Sequence, residues 1–142
     1  MKKYLYLVCL ICVSVVLSGC GTKKLTCTKT SDESGTTTNE KIVINFKNNK
    51  PSTTSMEMDM KFSDDQKSYI DMSYSILEST FEEMEEDGVT VDTNKTDDSI
   101  KIKMDIDFSK VKDTDDLSIE FDEDDTLENI QKELKDEGYE CK

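Results

Sequence analysis

The chain has 142 residues, with 18 lysines and no arginine against 32 acidic side chains, so its formal net charge at pH 7 is −14. Histidine and tryptophan are absent as well. The composition excludes imidazole acid–base chemistry, histidine metal ligands and guanidinium clamps. It also argues against nucleic-acid binding, which requires a basic face. The sequence therefore indicates a small acidic protein with one domain.

The first 19 residues are typical of a secretory signal peptide. Lys2 and Lys3 precede an apolar run over 4–17, and the small residues Ser18 and Gly19 follow. The run is too short to cross a bilayer as a helix, which takes about 20 residues. We therefore expect residues 1–19 to be removed on export.

The end of this segment, Leu17-Ser-Gly-Cys20, resembles the lipobox of bacterial lipoproteins. The resemblance implies cleavage before Cys20, a diacylglyceryl thioether on its sulfur, and a location on the extracytoplasmic face of the cell membrane. The alternative is an ordinary signal peptide with a chance cysteine. With Cys20 lipidated, residues 20–24 form a short tether and residues 25–142 a single folded domain. Lys23 and Lys24 in the tether suit the head-group zone of an anionic membrane.

The cysteines divide by position. Cys9 and Cys12 lie inside the signal peptide and Cys20 is the lipidation site, which leaves Cys27 and Cys141 at the two ends of the folded region. In an oxidising compartment an even pair usually closes, so we predict a Cys27–Cys141 disulfide. A redox or metal-binding pair of thiols is the alternative, but neither of these two cysteines belongs to a C-x-x-C motif and the chain has no histidine.

Apolar residues alternate with polar ones in five segments, which predicts five strands. The segments are 25–29, 42–46, 56–62, 89–91 and 100–108. Polar turns are expected over 31–39, 47–51 and 94–98. Leu117, Ile119 and Phe121 are an additional candidate edge strand.

Two segments have helical spacing. Ile70, Tyr74, Leu77, Phe81 and Met84 form one apolar stripe. Ser63 and Gln66 make the predicted capping box of this helix, and Gly88 its predicted end.

The second helix is shorter. Leu127, Ile130 and Leu134 lie along one side of it, Asp125 and Glu128 are its predicted capping box, and Gly138 its predicted end. The order β-β-β-α-β-β-α with short turns predicts an α+β fold, an antiparallel sheet of about five strands with two helices on one face.

Three methionines, Met56, Met58 and Met60, invite comparison with copper carriers, because thioethers bind Cu(I). Period two places all three on one face of a strand beside Phe62, where methionine commonly fills a core. Core packing is the favoured interpretation, and we assign no metal ligand.

Acidic clusters recur along the chain, and the segment from Asp115 to Asp125 is the best candidate for weak calcium binding. The EF-hand pattern is absent. Glu78, Glu82 and Glu86 are like charges at i, i+4, which a basic partner, loosely held cations or plain solvation would relieve. The chain has no G-x-S-x-G, H-E-x-x-H or P-loop motif, so we assign no catalytic residue and no cofactor and expect no enzymatic activity.

The lipobox, the Lys24-Leu-Thr-Cys-Thr28 start and the closing Gly138-Tyr-Glu-Cys-Lys142 together resemble the YehR-like small bacterial lipoproteins. The resemblance implies a compact, anchored, antiparallel-sheet domain. The family is functionally uncharacterised, so no site residue is carried over from it.

The expected function is that of a lipid-anchored cell-envelope protein with a small acidic binding or adaptor domain. Its expected partners are the membrane, through the N-terminal lipid, and a basic protein or cationic ligand, with no nucleic acid. The alternative is a non-catalytic structural or surface-shielding lipoprotein.

Overall fold

A six-stranded antiparallel sheet is the framework of the part of the chain that the structure, a computed structural model, describes: residues 22–85, 87–111 and 125–142. The strands are β1 (Lys23–Glu33), β2 (Thr36–Lys47), β3 (Lys50–Phe62), β4 (Val89–Lys95), β5 (Ser99–Asp107) and β6 (Glu140–Cys141). Their order across the sheet is β4-β5-β3-β2-β1-β6. Helix α1 (Ile70–Glu82) follows a 3₁₀ turn at Lys67–Tyr69, and helix α2 (Leu127–Asp136) precedes β6. The predicted α+β class is confirmed.

The first hairpin is longer than the sequence indicated. The loop predicted over 31–39 is wrong, because β1 continues to Glu33 and β2 begins at Thr36. Ser34 and Gly35 both have positive φ and make a two-residue turn, which matches the twist of paired strands. Threonine-rich polar segments extend as strands here because one face of the sheet stays in water.

The second turn is tighter than expected over 47–51. Asn48 and Asn49 form it with positive φ, and Lys50 and Pro51 already belong to β3. Asparagine adopts this conformation more readily than other side chains. Pro51 lies beside a register shift at Asn45/Phe46, where proline's missing N–H is tolerated.

Both helices lie on the same face of the sheet and divide it between them. Helix α2 packs on β1 and β2, where Ile130 joins Leu25, Ile44 and Phe46. Helix α1 packs on β3, β4 and β5, where Ile70 and Phe81 meet Ile100 and Ile102. Met56 contacts both regions, so the core is continuous beneath the two helices.

The start of α1 differs from the predicted capping box. The hydroxyl of Ser63 donates to Asp65 rather than accepting a helix N–H, and the helix N-cap, Tyr69, makes no side-chain cap. The 3₁₀ turn at Lys67–Tyr69 separates Ser63 from the first α-helical turn. The turn lies where the chain leaves the end of β3 and passes back over the sheet as α1.

Gly88 does not end α1, which stops at Glu82. Its φ is +99°, and an added Cβ would lie 2.9 Å from the carbonyl oxygen of Asp107. The same glycine accepts a hydrogen bond from the Asp107 N–H at 2.7 Å. Glycine is therefore required at this position for the close approach of β4 to the end of β5.

The boundaries of α2 follow the sequence more closely. The N-cap is Thr126, one residue after the predicted Asp125, and its hydroxyl accepts from the Asn129 N–H at 3.4 Å. Gly138 has φ +94° and ends the helix as predicted. The N–H groups of Gly138 and Tyr139 donate to Lys135 and Leu134, which is a Schellman motif.

A disulfide joins Cys27 in β1 to Cys141 in β6, the two cysteines that the sequence singles out. They are also register partners in the sheet. Lys142 exchanges two backbone hydrogen bonds with Thr26, and the hydroxyl of Tyr139 donates to Glu40. The C-terminal tail is therefore fixed to β1 and β2 by covalent and polar contacts.

Several predictions lie outside the described residues. They are the signal peptide over 1–19, the lipidation site Cys20, the candidate strand with Leu117, Ile119 and Phe121, Glu86, and all of the candidate calcium segment except Asp125.

Candidate functional site

The uncovered face of the sheet is polar and is the first surface to consider. A trough of about 520 Å³ runs across β1, β2, β3 and β5 on this face. Strand register and alternation place one row of side chains along each wall. The rows are Thr28-Lys41-Glu57-Lys103 and Thr30-Asn39-Asp59-Lys101.

The charges along this trough neutralise each other. Lys41 pairs with Glu57 at 3.2 Å, and Lys101 with Asp59 at 3.4 Å. Lys103 pairs with Asp105 at 2.7 Å, and this ion pair raises the pKa of Lys103 and lowers that of Asp105. Opposite charges on facing strands stabilise a sheet. The charges of the open face are accordingly balanced by its own ion pairs, two between neighbouring strands and one within β5.

A polar cluster lies where the C-terminal tail crosses the sheet. Tyr139 donates to Glu40, and the ammonium of Lys29 lies 5.2 Å from the centre of the tyrosine ring. Burial, and secondarily the Glu40 hydrogen bond, raises the pKa of Tyr139 well above its ordinary range. The hydrogen bond from this phenol fixes the C-terminal tail to β2, which suits a structural contact.

Helix α1 has a second apolar face that the sequence analysis missed. Its inner side packs on the core, yet the side chains of Met72, Ile76 and the N-cap residue Tyr69 are 60%, 58% and 52% exposed. Their spacing of i, i+3, i+7 places them in one row on the side away from the sheet. Single exposed apolar residues are ordinary, whereas a row of them marks a contact surface. We name these three residues the outer stripe.

The C-terminal end of α1 is acidic. Glu82 is the last helical residue and Glu83 the C-cap, and the last turn holds no basic residue. Negative charge at this end of a helix is unfavourable, because the carbonyl groups already give it a partial negative charge. Glu83 projects on the same side of the helix as the outer stripe, by the 100° step per residue. Apolar and anionic groups thus share one surface.

The opposite flank of α1 is fixed to the sheet. The Tyr74 hydroxyl donates to Glu78 at 2.8 Å and lies 3.3 Å from the Thr93 hydroxyl. Lys95 in β4 pairs with Asp71, whose hydrogen bond raises the lysine pKa. Glu85 accepts a hydrogen bond from the Val91 N–H and so occupies a donor on the β4 edge. The helix is held firmly while its outer stripe stays free for contact.

A sequence signal for the outer stripe existed. The same window that holds the inner row 70, 74, 77 and 81 also holds an apolar row at 69, 72 and 76. A helix with apolar residues on two sides is expected to be covered on both. The inner row is the longer of the two and accounts for the helix by itself, so the outer row was not needed to predict it.

The methionine row and the acidic clusters were the other candidate sites. Met56, Met58 and Met60 lie on the helix-covered face and pack against the core clusters, so the core interpretation is confirmed. Within the described ranges, no three His, Cys, Asp or Glu side chains gather in a way that would hold a metal ion. No helix in these same ranges is long and apolar enough to span a membrane.

Comparisons with known proteins identify no family. No protein-family model matches the chain, and no curated protein matches it. A solved structure with some likeness is an NMR structure of a protein from Streptococcus pneumoniae TIGR4, at 15% identity and a TM-score of 0.43. The match covers 65% of this chain and 62% of that chain. It carries no argument about function.

Proposed function

We propose that the protein is a lipid-anchored binding domain of the cell envelope, and that the outer stripe of α1 with its acidic C-terminal end binds a basic, amphipathic segment of a partner protein. The anchor is Cys20, at the end of the lipobox-like sequence. The single observation that supports the binding surface is the exposed row of Tyr69, Met72 and Ile76 on a helix whose inner side is already packed.

The chemistry of the partner follows from the groups around the stripe. Covering three large apolar side chains would remove their surface from water, at about 25 cal/mol per Å². Lysine or arginine side chains beside Glu82 and Glu83 would relieve the unfavourable charge at the helix end. Tyrosine is also among the residues that most often dominate binding energies. An amphipathic helix with one apolar side and a basic flank satisfies both needs.

The open sheet face supports this choice by contrast. Its charged side chains have partners of opposite sign on neighbouring strands, whereas those at the end of α1 add to a like charge. A partner would have to break ion pairs to use the first surface, and would form new ones at the second.

Site-specific photocrosslinking in cells tests the proposal. A photoreactive residue would replace Ile76 in the full-length anchored protein, and a matched one would replace Glu133, which is exposed on α2. We expect one dominant basic partner from position 76 and none from position 133. Purified partner should bind the wild-type protein with an affinity that falls steeply as salt is raised, because the contact pairs opposite charges.

Two sets of variants complete the test. Replacing Met72 and Ile76 together by serine should weaken binding by about tenfold or more, because both lie at the centre of the contact. Replacing the exposed Lys132 of α2 by serine is the matched control and should leave affinity unchanged. Equal, diffuse crosslinking from both helices would contradict the proposal and favour a shielding role. A crosslinked product of two copies of this chain would replace the basic partner with self-association.

A further inference from the structure

Four lysines meet at one end of the sheet, although they come from two separate parts of the sequence. Lys23 and Lys24 begin β1, while Lys47 and Lys50 flank the Asn48–Asn49 turn between β2 and β3. Strand register brings them together, because Lys23 pairs with Phe46 and Lys47 pairs with Lys50. We name these four residues the lysine end.

The lysine end is uncompensated within the described residues. All four side chains are exposed, and none of them forms an ion pair there. Other lysines of the sheet behave differently, since Lys41, Lys101 and Lys103 each hold a carboxylate within 3.4 Å. An unpaired cationic cluster is unusual in a chain whose net charge is −14.

The opposite end of the sheet carries the opposite charge. It contains the first hairpin turn, the exit from β3 and the turn between β4 and β5. Its acidic residues are Asp32, Glu33, Asp64, Asp65, Asp97 and Asp98. With β3 13 residues long, the two ends lie about 40 Å apart at the rise of an extended strand. The two ends of the sheet therefore differ in charge, although the acidic end of α1 leads into β4 on the same half of the sheet as the four lysines.

The acidic end of α1 does not cancel the lysine end. Glu85 contacts Val91 in β4, and β4 lies two strand positions from β3, which carries Lys50, and three from β2, which carries Lys47. Two interstrand spacings amount to about 10 Å, which exceeds the screening length of about 8 Å at physiological salt. The four lysines thus keep a local positive field.

The lysine end lies next to the proposed anchor. Cys20 precedes Lys23 by three residues, which span at most about 10 Å even when fully extended. We propose that the lysine end binds the anionic head groups of the membrane that holds the anchor, and so sets the domain upright with the first hairpin turn away from the bilayer. This inference rests on the proposed anchoring. It adds a second, electrostatic membrane contact, and two signals hold a membrane more stably than one acyl chain.

Residue-resolved lysine labelling on vesicles tests the inference. The full chain, extracted in its anchored form, would be reconstituted into phosphatidylcholine vesicles with or without phosphatidylglycerol and treated with an amine-acylating reagent. Mass spectrometry would follow each lysine. We expect anionic lipid to slow the labelling of Lys47 and Lys50 by about threefold or more, and high salt to restore it. Lys61, exposed at the other end of the sheet, is the internal control and should react equally in both vesicles.

A charge reversal separates the lysine end from simple proximity to the anchor. Lys47→Glu with Lys50→Glu should abolish the lipid-dependent protection of Lys24, while the matched pair Lys132→Glu with Lys135→Glu on α2 should preserve it. A protein that floats with both vesicles but labels identically at Lys47 and Lys50 would overturn the lysine contact and leave the anchor standing. A protein that floats with neither would overturn both.

Discussion

The two helices of this domain lie on the same face of one sheet but differ in their caps, in the charge at their C-terminal ends and in the exposure of their apolar residues. Helix α2 has a side-chain cap at Thr126, an acidic first turn, Lys135 in its last turn and a Schellman end at Gly138. Its apolar residues Leu127, Ile130 and Leu134 all pack inward. Helix α1 has no side-chain cap, no basic residue in its last turn and three exposed apolar residues on its outer side.

The contrast separates a helix whose features all serve the fold from one that carries the proposed contact surface. Sequences tend to satisfy local rules throughout and to break them where function requires it. Because α2 satisfies each of these rules, the deviations of α1 are not a general property of this chain. Four predictions test the comparison, from the largest expected effect to the smallest.

The first prediction concerns the covalent support on the α2 side. Cys141→Ser opens a disulfide with a sequence separation of 114, and the chain-entropy model assigns about 4–5 kcal/mol of unfolding free energy to a loop of that size. Urea unfolding would measure the loss, with the reduced wild-type protein as the control. Coincident unfolding of oxidised and reduced protein would show that the disulfide contributes nothing.

The second prediction compares isoleucines on the two helices. Ile130 of α2 is 2% exposed, so Ile130→Ala should lower the free energy of unfolding by about 2–5 kcal/mol through lost burial and a cavity. Ile76→Ala on the outer stripe should change it by less than about 0.5 kcal/mol. Thermal and urea unfolding measure both. A large loss at Ile76 would mean that the outer stripe supports the fold.

The third prediction concerns the helix starts. Thr126→Ala should cost about 1 kcal/mol, because the Asn129 N–H loses its acceptor. Ser63→Ala is the matched control before α1, and should cost less than half of that, since its hydroxyl bonds only to the exposed Asp65. If urea unfolding showed equal losses of unfolding free energy for the two variants, Ser63 would be a helix cap after all.

The fourth prediction reverses charge at the two helix ends. Glu83→Lys should raise the free energy of unfolding by about 0.3–1 kcal/mol, and Lys135→Glu should lower it by a similar amount, because the C-terminal end of a helix favours positive charge. The same Glu83→Lys variant should bind the basic partner more weakly. Gain of stability with loss of binding is the signature of a residue kept for contact. Unchanged binding would show that Glu83 is not part of the proposed binding surface.

Much of the fold could be predicted because its signals are local. Alternation along 42–46, 56–62 and 100–108 depends only on which side of a strand faces a core, and the structure places those strands there. Gly138 ends α2 because a left-handed residue is needed at that position whatever surrounds it. The predicted boundaries of α1 were wrong, because the path of the chain decided them and not the local preference of the residues. The 3₁₀ turn carries the chain over the sheet, and Gly88 makes room for Asp107.

The candidate surfaces were less predictable. The spacing of residues 69, 72 and 76 indicates the outer stripe, but only the packing shows which of the two apolar rows on α1 contacts the core. The lysine end joins residues 23–24 to residues 47 and 50, and no local pattern links them. Strand register decides which side chains share an end, because a shift of one residue would move each of them to another neighbour.

The sequence by itself determined the composition, most of the strand and helix segments, the lipobox-like motif over 17–20 and the two cysteines that pair. These depend on residue type and short spacing, which the chain carries before it folds. Tertiary structure alone decided that the open face neutralises its own charge, that α1 keeps an uncovered apolar row, and that four lysines from two parts of the sequence meet at one end of the sheet. Each of these is a relation between residues distant in sequence, and such relations exist only once the strands have paired.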